Sequence, residues 1–132
     1  MIEIEAMFPV MVTGELEAVK KFYEMIFGFS VVFYDPDFYL HLVHPHTGAQ
    51  LGFLLPNHDT QPVFLHNAMP SDGYVISLEV KDAAKAYAEA QKLNLNLAMG
   101  LKEEAWGQIH FMLEDPAGFR VDIVQHLEET IN

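Results

Sequence analysis

This sequence predicts an α+β fold made of two tandem βαβββ modules, and three observations predict it. Short runs rich in Val, Ile, Leu and aromatic residues have strand length, while two longer segments repeat apolar residues at helical spacing. The order strand, helix, three strands then occurs twice. The punctuation also matches, since Val12 corresponds to Val80 and Gly48 to Gly118 at almost the same separation. With 132 residues the chain makes one domain, with module one over about 5–56, a connection over about 57–73 and module two over about 74–127.

Each element has a local reason. Met7–Val12 is an apolar strand, and Thr13 is placed to cap the helix that follows, with Glu15 and Glu17 in the first turn where the dipole favours negative charge. Leu16, Val19, Tyr23 and Ile26 recur at helical spacing, and Gly28 supplies the stop. Phe29–Tyr34, Phe38–Val43 and Ala49–Leu55 are strands separated by Asp-Pro and His-Pro-His-Thr-Gly turns. In the second half Val75–Val80 is a strand and Asp82 caps a helix carrying Ala83, Ala86, Tyr87, Ala90 and Leu93 on one face. Leu97–Leu101, Gln108–Glu114 and Arg120–Gln125 complete the module. The connection carries an apolar patch, Val63-Phe-Leu65, which either drapes over the structure or packs against a second subunit.

Composition removes several function classes. Nineteen acidic residues against seven basic ones give a net charge of −12, which repels phosphate backbones and argues against nucleic acid. No run of apolar residues is long enough for a membrane span, and MIEIEAMFPV has no basic leader before an apolar block, so a cytoplasmic protein is expected. Without cysteine there is no disulfide, thiolate metal site or cysteine nucleophile. No nucleophile elbow, phosphate loop or zinc-protease motif occurs.

Three histidines within six residues, in YLHLVHPH, invite a metal reading. Pro45 corresponds to Pro116, which makes His44-Pro-His-Thr-Gly48 the counterpart of the turn Asp115-Pro-Ala-Gly118. His44 and His46 are therefore expected as turn residues facing water. His41 lies three positions before His44 and faces the other way, so the trio does not converge on one ion.

Phe22-Tyr23 followed by Phe27-Gly28-Phe29, the run Asp115-Pro-Ala-Gly-Phe-Arg-Val-Asp-Ile-Val124, and Trp106-Gly-Gln-Ile-His-Phe111 together resemble the vicinal oxygen chelate superfamily. This is the fold of glyoxalases, bleomycin-resistance proteins and extradiol dioxygenases, and the Trp-Gly-Gln stretch resembles the bleomycin-resistance-like branch. The resemblance implies strands curled into a cup-shaped mixed sheet with helices outside, and a homodimer whose modules pair within one chain or swap between chains. It also implies ligand positions for a metal at Phe8, Gly52, Val75 and Asp122. Three of these carry no donor atom, so no cofactor is expected. A divalent metal would need an unusual set built on Asp122 with His110, drawing on His41 and Glu79.

Alternation along the strands then assigns faces. Phe38, Leu40 and Leu42, Ile109, Phe111 and Leu113, Val121 and Ile123, and Ile76, Leu78 and Val80 should pack on the helices. The mixed faces remain to line the cup, giving a ligand-binding wall of Phe8, Val10, Tyr39, His41, Trp106, His110, Met112, Arg120 and Asp122, with Ser77 and Glu79 joining it. Within it a His110–Asp122 or Arg120–Asp122 pair could simply satisfy a partly buried strand, and Trp106 stands either at the rim or in the core. Three functions compete: a metal-free binder of a small cationic or aromatic molecule, a metal-dependent lyase, isomerase or dioxygenase, and a metal-free enzyme with His110 or Glu79 as base.

Overall fold

The computed structural model describes residues 1–128 and divides the chain into two units, Met1–Pro70 and Ser71 onward. Each unit is one βαβββ module, so the duplicated α+β order read from the sequence is the architecture of the protein. Among the described residues no helix is long and apolar enough to cross a membrane.

Unit one contains β1 (Val10–Val12), α1 (Leu16–Phe27), β2 (Ser30–Asp35), β3 (Tyr39–Val43) and β4 (Gln50–Leu54). The sheet order is β1-β4-β3-β2, with β1 parallel to β4 and the other neighbours antiparallel. Leu16, Val19 and Tyr23 form the buried stripe of α1 and meet Leu40, Leu42 and Phe53 from one face of the sheet. Tyr23 makes an edge-on contact with Phe29 at 5.7 Å and lies at the same distance from Phe53. The helix ends at Gly28, whose φ of 73° is left-handed, and the next N–H, of Phe29, reaches back to the Tyr23 carbonyl.

Two local expectations need correction. Thr13 is not the N-cap of α1: the helix starts after Glu15, while Thr13 still continues the sheet, its N–H held by the Leu54 carbonyl. The Thr13 hydroxyl accepts the Glu15 N–H instead. β1 begins at Val10 rather than Met7, because Pro9 has no N–H to give to a ladder and the segment before it is exposed. The connection stays with unit one through a 3₁₀ turn (Val63–Leu65), the Asn57 N–H to His66 bond and the Met69 N–H to Val12 bond.

Unit two contains β5 (Ile76–Glu79), α2 (Ala83–Lys92), β6 (Leu97–Glu104), β7 (Gln108–Glu114) and β8 (Arg120–His126), ordered β5-β8-β7-β6 with β5 parallel to β8. Asp82 caps α2 as expected, its Oδ1 accepting the Lys85 N–H at 3.0 Å. Ala83 and Ala90 are buried and Tyr87 meets Phe111, whereas Leu93 at the end of the stripe is half exposed. β6 runs three residues beyond its expected end, and two register irregularities interrupt its pairing with β7.

The two turns aligned from the sequence do correspond. His44 N–H bonds the Ala49 carbonyl across the hairpin and Gly48 N–H bonds the His44 carbonyl. Asp115 makes the matching pair with Phe119 and Gly118. The Asp115 carboxylate also accepts the Ala117 and Phe119 N–H groups. In the first turn the His44 Nδ1 accepts the His46 and Thr47 N–H groups in the same way. His44 therefore does not point into water: an imidazole lone pair does the work of a carboxylate, and its Nε2–H donates to the Phe27 carbonyl at the end of α1.

Candidate functional site

The face of each sheet turned away from its helix carries the polar side chains, and in each unit a buried or half-buried polar cluster centres there on a histidine, His41 in unit one and His110 in unit two. In unit one β3 presents Tyr39 and His41, β4 presents Gln50, and the chain before β1 brings Phe8 edge-on to the His41 ring at 4.6 Å. Tyr39 Oη and His41 Nδ1 are 2.7 Å apart, as are His41 Nε2 and Gln50 Oε1. Because an amide oxygen faces Nε2, the ring proton sits there, and Nδ1 accepts the Tyr39 O–H. Burial pushes the Tyr39 pKa upward, which keeps the hydroxyl neutral.

The Tyr39 side chain reaches across to the neighbouring strand. Its hydroxyl lies over Gly52, filling the space a Cβ there would need, beside the Val10 methyl. Next to it is a hollow of about 350 Å³ lined by Val10, Phe38, Tyr39, Leu54, Gln61 and Leu65. Its outer wall is the connection, whose His58 packs on Phe38 at 4.5 Å.

In unit two the cluster is ionic. His110 Nδ1 lies 2.8 Å from Asp122 Oδ1, and Nε2 lies 3.0 Å from Glu104 Oε2. Lys102 stands 3.0 Å from the other Glu104 oxygen. His110 is 6% exposed and Asp122 8%. Both ring nitrogens can donate only as an imidazolium. Burial opposes that charge, yet the hydrogen bonds to Glu104 and Asp122 outweigh it and raise the His110 pKa. Glu104 is held below the usual carboxylate range by its hydrogen bonds to His110 and Lys102.

Phe8 is 43% exposed, and Met112 lies beside Asp122 in the register of β7 and β8. Of the two carboxylate pairings considered, His110–Asp122 forms and Arg120–Asp122 does not. Arg120 instead bonds Glu114, Asp72 and the Ser71 carbonyl, tying the start of unit two to its last hairpin. Glu79 accepts from His126 in an exposed pair. Of the two candidate bases, His110 has both ring nitrogens engaged by carboxylates, and Glu79 lies in that exposed pair with His126. Gln50, Gln61 and Glu104 were not singled out from the sequence.

Trp106 lies in the β6–β7 turn, 70% exposed, with its indole N–H donating to Gln108 at 2.9 Å. It is not a core residue. Trp106→Ala is expected to change stability by less than about 0.5 kcal/mol in a urea titration. A loss of several kcal/mol would show that the indole is packed after all.

The residues present do not fit a divalent ion at the positions the resemblance implies. Phe8, Gly52 and Val75 bring no donor, the Gly52 space is filled by the Tyr39 hydroxyl, and Asp122 is bound to His110. Glu104 and Asp122 approach His110 from its two nitrogens and do not converge on one point. Among the described residues no group of three or more His, Cys, Asp or Glu is arranged to hold a metal.

A family model described as Glyoxalase/Bleomycin resistance protein/Dioxygenase superfamily matches residues 7–123. No curated protein matches the chain. Among solved structures, one described as a member of that superfamily from Sphaerobacter thermophilus is 22% identical, covers 94% of this chain and 98% of its own, and gives a TM-score of 0.72. A family enzyme from Burkholderia phytofirmans is 17% identical over 91% of this chain and 97% of its own, with a TM-score of 0.75. A lactoylglutathione lyase from Agrobacterium tumefaciens is 17% identical over 92% of each chain, with a TM-score of 0.74. At these identities the likeness is one of fold.

Proposed function

The chain belongs to the glyoxalase, bleomycin-resistance and dioxygenase superfamily, and from that premise we propose that it binds a small apolar or aromatic molecule without a resident metal. The observation that carries this reading is the Tyr39 hydroxyl over Gly52. The position where the family resemblance implies a metal ligand is instead covered by Tyr39, itself a wall of an apolar hollow. A concave surface of that size, mostly apolar with a few oriented polar groups, suits a small ligand. A second copy of the chain is the expected partner, in keeping with exposed apolar residues on the edge strand β2, Val31, Val32 and Phe33.

Thermal unfolding and metal analysis test the reading together. The protein as purified, titrated with zinc, nickel, manganese and ferrous iron, is expected to hold no stoichiometric metal and to gain no stability from any of them. Small bicyclic aromatic compounds are expected to raise the melting temperature saturably, as any ligand that prefers the native state must. Stoichiometric metal lost on Asp122→Asn would overturn the proposal in favour of a metal-dependent lyase, isomerase or dioxygenase.

A further inference from the structure

We infer that the hollow beside β1 selects an uncharged planar molecule that presents a hydrogen-bond donor to the Tyr39 hydroxyl oxygen. This rests on the binding reading above and adds the chemical class of the ligand. Three features of unit one lead to it.

None of the six residues lining the hollow is charged. An ionic group entering it would give up hydration with no counter-charge beside it, which is costly. The overall acidity of the chain acts at long range and is screened by salt, whereas this desolvation acts at contact. The rings of Phe38 and Tyr39 and the branched side chains of Val10, Leu54 and Leu65 offer flat apolar contact instead.

The second feature is the direction of the hydrogen-bond chain. Gln50 Oε1 fixes the His41 proton on Nε2, His41 Nδ1 accepts the hydrogen bond of the Tyr39 O–H, and Phe8 stands edge-on to the imidazole. The Tyr39 proton is thus committed within the protein, and what the hydroxyl has left to offer a ligand is lone-pair acceptance. The third feature is its position, over Gly52 and beside Val10, itself a wall of the hollow. Gln61 adds an amide whose Nε2 donates to the Thr60 hydroxyl, so the preference lies with Tyr39.

Indole and benzofuran share one outline and differ by an N–H in place of an oxygen, which makes them the probes. Affinities would be read from amide chemical-shift titrations of the full-length protein, whose dispersed spectrum also reports folding of each variant. Indole is expected to bind wild type about five- to tenfold more tightly than benzofuran, the effect of one neutral hydrogen bond. In Tyr39→Phe and in His41→Phe the two probes should bind alike, the first lacking the acceptor and the second freeing the hydroxyl to donate. Equal affinities in wild type, or a preference that survives in Tyr39→Phe, overturn donor selection and leave the binding reading standing. Tighter binding of tryptamine than of indole overturns the uncharged class. If neither indole nor benzofuran moves the Val10, Leu54 and Leu65 resonances, the binding reading falls and the inference with it.

Discussion

Replacing His110 by alanine is expected to cost about 3–5 kcal/mol of folding stability, the usual result of removing one partner from a buried ionic pair. The imidazolium joins three strands: it sits on β7 and holds Asp122 of β8 and Glu104 of β6. Removing it leaves two carboxylates near each other, one of them 8% exposed, with Lys102 beside Glu104 to offset them in part. The loss therefore comes less from a forfeited attraction than from uncompensated charge. Asp122→Asn should be milder, because a neutral amide can still meet the ring and Glu104 still supplies a carboxylate. Urea denaturation of the three proteins decides it, and a His110→Ala loss under about 1 kcal/mol would show that the cluster is solvated.

The same cluster sets a pH dependence. His110 has a folded-state pKa raised above its ordinary 6.5, so its contribution is complete below that value and is lost as pH rises through the folded value. Glu104 has a folded-state pKa lowered from 4.5, so its contribution is present above 4.5 and is lost as pH falls through the folded value. The stability difference between wild type and His110→Ala should accordingly be largest between pH 4.5 and 6.5 and shrink on either side. Taking the difference removes the titration of the other histidines and carboxylates.

Glu104 also shows where sequence reading stops. The order of elements was legible because the helices and inner strands carry unbroken periodicity, as with Leu16, Val19 and Tyr23 or Phe111 and Leu113. Asp82 and Gly28 marked ends for reasons local to themselves. β6 was cut short because Lys102, Glu103 and Glu104 look like loop, whereas charge on an edge strand is ordinary and keeps it from pairing further. The two register irregularities of β6 cancel, so Glu104 lies on the His110 face as plain alternation from Leu97 would have it, and only the shortened strand hid it. Gln50 was within reach, since it lies on a predicted strand two residues before Gly52 and so on the same face. The His44 error has a different origin. Its role depends on the tautomer and on a carbonyl seventeen residues away, and neither has a signal in the sequence.

Gly52→Ala is expected to cost about 1–3 kcal/mol, as overpacking a filled site does, and to abolish indole binding. The added methyl would fall inside contact distance of the Tyr39 hydroxyl, with Tyr39 Cζ at 3.1 Å and a Val10 methyl at 3.0 Å. β4 is bonded on both sides, to β1 and to β3, so its backbone has little room to retreat. The tyrosine must swing away, giving up its bond to His41 and the position from which it borders the hollow. The pair should therefore be coupled: once Tyr39→Ala has been made, Gly52→Ala should cost little, leaving an interaction energy of about 1–2 kcal/mol in the double-mutant cycle. Additive losses would mean that Tyr39 is not seated over Gly52 and does not wall the hollow. The coupling bears on function as well as packing. Any side chain able to donate to a metal from position 52 would have to occupy the space of the Tyr39 hydroxyl, so at this position a metal ligand and the tyrosine-walled hollow exclude each other.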